Sequence, residues 1–106
     1  MLIDIDISLL TPNTAVGRIY GALEFPCLPR IGELVSLRVA TSTEAGFDDQ
    51  LTVEHVIHSP GANSRPMLSL SDLVANDVAH AKLLGEAFEV AYGLFFEQYD
   101  LGSLRP

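Results

Sequence analysis

At 106 residues, 48% of them hydrophobic, the chain suits one globular domain with one modest core and is too apolar to be disordered. Fourteen acidic against six basic side chains give a formal charge of −8. The cations Arg18, Arg30, Arg38, Arg65, Lys82 and Arg105 are dispersed, so nothing neutralises a phosphate backbone and nucleic acid is not expected as a partner.

The first stretch, MLIDIDISLL, alternates strictly. Ile3, Ile5, Ile7 and Leu9 share one face, and Asp4, Asp6 and Ser8 the other, which is the period of a half-buried strand. Its acids stand where a signal peptide would carry Lys or Arg. No apolar run approaches the ~18 residues that cross a bilayer. The single cysteine, Cys27, allows no intramolecular disulfide and suits a reducing compartment. These features place the protein in the cytoplasm, away from membranes.

TPNT reads as a turn, and GRIYGALEF as a second strand with Ile19, Leu23 and Phe25 on one side. The prolines of FPCLPR end it. IGELVSLRVA gives a third strand, with Ile31, Val35, Leu37 and Val39 on its odd face. TSTEAGFDDQ is a polar loop, LTVEHVIH a fourth strand, SPGANSRP another loop, and MLSLSDLVA a fifth strand. No repeat, low-complexity tract or linker divides this β-rich part, residues 1–75.

The period changes at Asn76. NDVAHAKLLGEAFEVAYGLFFEQYDLG reads as one helix over 76–101, with Asn76 as N-cap, Asp77 in the first turn and Gly102 as the stop. The fold class expected is α+β in a single domain: a five-stranded, strongly bent antiparallel sheet or partly open small barrel, followed by a long C-terminal helix. PRIGELVSL, VEHVIH and PMLSL together resemble the Pro-x-x-Gly-Glu-x-Val openings of SH3-like barrels. That resemblance implies a fold and carries no site residue.

Two of the three histidines, His55 and His58, are the first candidates for chemistry. Side chains three apart on a strand point to opposite faces, whereas a chelating pair needs i, i+2 on a strand or i, i+4 on a helix. No metal site is expected. His55, sharing the face of Leu51, Val53 and Ile57, is expected at the core or its rim, and His58 in solvent. Cys27 has Arg30 near in sequence but no local histidine to activate it, so it reads as a bland thiol. Glu44, Asp48 and Asp49 lack the alternating oxygen ligands of a calcium loop and read as solvated acids. Asp4 and Asp6 read the same way. No phosphate-cradling glycine loop or nucleophile elbow is present. No catalytic residue and no cofactor is expected, and an enzyme is the less favoured reading.

The helix is the strongest anomaly. Lys82, Glu86, Glu89, Glu97 and Asp100 gather within an arc of roughly 80°, and the apolar remainder is about twice as wide as the ~100° stripe of an ordinary surface helix. Ala81, Phe88, Tyr92, Phe95 and Tyr99 help to fill it, and Gly85 would allow a close backbone approach. A second copy is the expected cover, with Leu83, Ala87, Val90 and Leu94 at the contact. The function expected is therefore a non-catalytic, self-associating domain, a homodimer or larger, acting through protein contacts. The alternative is a small-ligand binder or enzyme with a pocket between subunits, built from His55, His80, Tyr92 and Cys27. A further alternative, resting on charge alone, is an acidic inhibitor of a basic protein.

Overall fold

The computed structural model describes residues 1–39 and 50–99. The loop acids Glu44, Asp48 and Asp49, and the expected helix from Asp100 to Gly102, lie outside the described residues. The elements run β1 (Leu2–Leu10), β2 (Ala15–Glu24), β3 (Leu34–Ser36), β4 (Gln50–Ile57), β5 (Met67–Leu70), β6 (Leu73–Val74), α1 (Val78–Tyr92) and β7 (Phe95–Gln98). The described residues form an α+β fold, with a mixed, open sheet and one helix towards the C-terminus.

The sheet order is β3-β4-β5-β1-β2-β7, with β6 also paired to β1. β1 and β2 form the antiparallel hairpin that TPNT implies, with Ile7 opposite Ile19 and Asp6 opposite Tyr20. On its other edge β1 pairs parallel with β5 and, further along, with β6. The expectation of an all-antiparallel sheet is thus corrected at its centre. The expected fifth strand, MLSLSDLVA, is two short pieces, β5 and β6, both lying against β1 and separated at Ser71 and Asp72.

The alternation in β1 is realised in full: Ile3, Ile5, Ile7 and Leu9 are all buried. Val35, Leu37 and Val39 are buried as their spacing implies, whereas Ile31 lies in a turn and is exposed. β4 departs from strict alternation. Val53 pairs with Leu70 but His55 pairs with Ser69, so Glu54 is an extra residue in a β-bulge. One inserted residue exchanges the faces of everything after it. Val56, opposite Leu68, takes the inward place expected for His55, and His55 and Ile57 point outward and are exposed.

The helix is shorter than its sequence pattern suggested. Asp77, not Asn76, is the N-cap: its backbone is extended and its Oδ1 accepts from the His80 N–H at 2.9 Å. Gly93 ends the helix in the left-handed conformation (φ 66°), its N–H donating to the Glu89 carbonyl. The chain then reverses into β7, antiparallel to β2, with Phe96 opposite Ile19. Phe95, Phe96, Glu97 and Tyr99 therefore belong to β7 or to the residue just after it, and not to the helix.

This reversal covers much of the apolar arc from within the chain. Ala81, Leu84, Gly85 and Phe88 are the buried helix residues. A Cβ at Gly85 would fall 2.6 Å from the Phe96 ring, so the approach that Gly85 permits is made by the protein's own β7. The Phe96 N–H, on the β7 edge away from β2, donates to Glu89 Oε2 at 3.2 Å and ties strand to helix. Leu94 is 3% exposed and sits in the same core cluster as Ile5 and Phe88.

Candidate functional site

With α1 against one face of the sheet, the other face is set by strand register. One row across it holds His55, Ser69, Asp6, Tyr20 and Phe95, on β4, β5, β1, β2 and β7 in turn. A neighbouring row holds Ile57, Met67, Asp4 and Ala22. Ala22 is small, and over it the larger side chains enclose a concavity of about 410 Å3. Asp4, Arg18, Tyr20, Arg65, Met67 and Phe95 supply its walls.

The charged groups there are held in pairs. Arg65 Nη2 lies 3.0 Å from Asp4 Oδ1. Arg18 Nε lies 3.3 Å from Asp6 Oδ1, both atoms shut off from solvent but misaligned for a hydrogen bond. The Arg18 guanidinium also lies over the Tyr20 ring, 4.3 Å from its centroid, a cation–π contact. Tyr20 and Phe95 are tilted neighbours with centroids 5.5 Å apart. Phe95 remains 58% exposed, next to Tyr20 and Met67 on this face.

The outward side of α1 is the second surface of interest. Val90 lies two residues beyond Phe88, roughly 160° round the helix from it, and therefore points away from the core. It is 88% exposed, and Leu83, two turns earlier, is 48% exposed. Ala79 is exposed and Ala87 half-buried beside them. Lys82, Glu86 and Glu89 form the flanking charged strip. Of the four residues expected at a helix contact, Leu83, Ala87 and Val90 remain accessible, and Leu94 is enclosed.

The four residues expected around a ligand are not brought together. His80 and Tyr92 lie near opposite ends of α1, twelve residues or about 18 Å apart along the axis. His55 is out on β4. Cys27 is exposed and lines a separate hollow of about 270 Å3 with Phe25, Pro29 and Leu34, where Glu33 is the other ionisable group. His58 follows the end of β4 and is exposed. Among the described residues no three His, Cys, Asp or Glu side chains gather as a metal-binding group. No described helix is long and apolar enough to cross a membrane.

The concavity escaped the sequence reading because its lining comes from residues 4, 5, 18, 20–22, 65, 67 and 95. One signal was present in part: TPNT marks the hairpin, but a bulge at Val16 shifts its register by one residue, and only with that shift do Asp4 and Asp6 stand opposite Ala22 and Tyr20. No family model matches the sequence, and neither a curated protein nor a solved structure matches it. The chemistry of these two surfaces therefore rests on the residues themselves.

Proposed function

We propose that the protein is a non-catalytic, self-associating domain that acts through protein contacts, and that the outward side of α1 is where copies meet. The observation that carries this is Val90, the most exposed of the large hydrophobic residues among those described, with Leu83 on the same side. Ala79, Leu83, Glu86 and Val90 follow the i, i+4, i+7, i+11 spacing of a helix-pairing seam, three of the four being apolar. Lys82 sits in the first half of α1 and Glu89 in the second, so an antiparallel partner brings these unlike charges abreast and offsets the two Glu86 side chains that meet near the two-fold axis. The small alanines Ala79, Ala87 and Ala91 allow the helices to approach closely.

The seam is short, so the association is weak and depends on concentration. The test is sedimentation equilibrium on the wild type and on a Leu83→Glu/Val90→Glu variant, with circular dichroism to verify folding. Self-association of the wild type and a folded, monomeric variant are expected. A wild type monomeric at about 100 μM, or a variant that associates equally, refutes the reading.

A further inference from the structure

A different surface carries a second and independent inference. The concavity on the outward sheet face has the size of a small-ligand cleft, its 410 Å3 falling within the ~300–1,000 Å3 usual for such sites. Its polar groups are of both signs. Arg65 and Arg18 present guanidinium nitrogens beyond those engaged by Asp4 and Asp6, and Asp4 presents the carboxylate oxygen that Arg65 leaves free. Between them stands an apolar patch of Tyr20, Phe95 and Met67, with Ala22 as the floor.

These features select a ligand class. A plain anion meets the Asp4 carboxylate and the field of a chain carrying −8. A plain cation meets two guanidinium groups. A molecule with one carboxylate and one ammonium satisfies both signs, and an apolar side group covers the exposed Phe95 ring. We propose that this concavity binds a small zwitterion of the amino-acid type: the carboxylate on Arg18 and Arg65, the ammonium on Asp4, and an aromatic or apolar side chain against Tyr20, Phe95 and Met67. The site is preorganised, because the Tyr20 ring and Asp6 already hold the Arg18 guanidinium in place.

Three probes of one shape separate the possibilities: L-phenylalanine, 3-phenylpropionate, which lacks the ammonium, and 2-phenylethylamine, which lacks the carboxylate. Each is titrated into the isotope-labelled protein and followed by amide NMR shifts. L-Phenylalanine is expected to give saturable shifts centred on Tyr20, Ala22, Met67 and Phe95, with each analogue about tenfold weaker or more. Arg65→Gln and Asp4→Asn are each expected to weaken L-phenylalanine by about tenfold, while Arg30→Gln, which removes the same charge as Arg65→Gln but lies outside the concavity, leaves it unchanged. Phenylpropionate or phenylethylamine binding as tightly as the amino acid overturns the proposal. So do shifts that centre elsewhere, or no saturation by L-phenylalanine at millimolar concentration. The outcome is independent of the helix seam, which lies on the opposite side of the sheet.

Discussion

Gly85→Ala tests the packing of β7 on α1, and two opposed effects set its result. Within a helix Ala is favoured over Gly by about 1 kcal/mol. The added methyl, however, would lie 2.6–2.7 Å from three carbons of the Phe96 ring. Ordinary carbon contacts lie at about 3.5–4.0 Å, so the ring must retreat by about 1 Å. It is poorly placed to do so, since Phe96 is paired with Ile19 and its N–H is held by Glu89. Overpacking of this kind costs about 1–3 kcal/mol, so the expected net effect is a destabilisation of about 1 kcal/mol. With Phe96→Ala as the background the space is open, and the same methyl is expected to stabilise by about 1 kcal/mol. The coupling between the two positions is then about 2 kcal/mol, a value reached only by groups in contact. Urea unfolding of the wild type, both single variants and the double, followed by far-ultraviolet circular dichroism, measures it. An equal effect of Gly85→Ala in both backgrounds refutes the reasoning. On one unbroken helix the two residues would sit about 16 Å apart and would not couple.

Changes at Gly93 and around Glu54 probe the backbone features that sequence periodicity did not reveal. At Gly93 a Cβ would meet no atom within 4 Å, so only the left-handed backbone opposes a side chain there; Gly93→Ala is expected to cost about 1 kcal/mol in the same urea assay and Gly93→Asn less. Deleting Glu54 removes the bulge and leaves Val53 and Val56 inward and His55 outward in plain alternation, so it is expected to change stability by less than about 1 kcal/mol, and His55→Ala stays within about 0.5 kcal/mol. A loss of about 2 kcal/mol or more on deletion, from turning the residues after Val53 to the opposite faces, would mean that the strand is not bulged.

How much of this was legible follows from how local each cause is. The alternation of β1 and the hairpin that follows it are written in adjacent residues, and both appear as read. The first half of α1 was legible for the same reason. Its end was not, because Leu94, Phe95 and Phe96 satisfy an apolar helix arc and an aromatic strand equally well. Gly93 is the sign that decides, whereas apolar spacing alone carries the helix on to Gly102. The bulge at Glu54 depends on the register of β5, and the parallel pairing of β1 on residues that come more than half the chain later; neither cause is local. The concavity inherits that dispersal, while Leu83 and Val90, on one regular element, could be placed from periodicity alone. Leu94 was misplaced with the helix end that carried it.

The position of β1 also governs how the chain can reach this arrangement. β2 follows at once and can zip onto it early, but the partners of its other edge, β5 and β6, arrive only after β3 and β4 have been made. Until then an isoleucine-rich strand stands with one row of backbone donors and acceptors open, the condition under which chains add to one another edge to edge. Asp4 and Asp6 sit within that strand and interrupt its apolar run with charge, as residues that guard against premature pairing do. Neutralising both would leave the finished fold with little change in its core, and would show instead in the yield of refolding at high protein concentration.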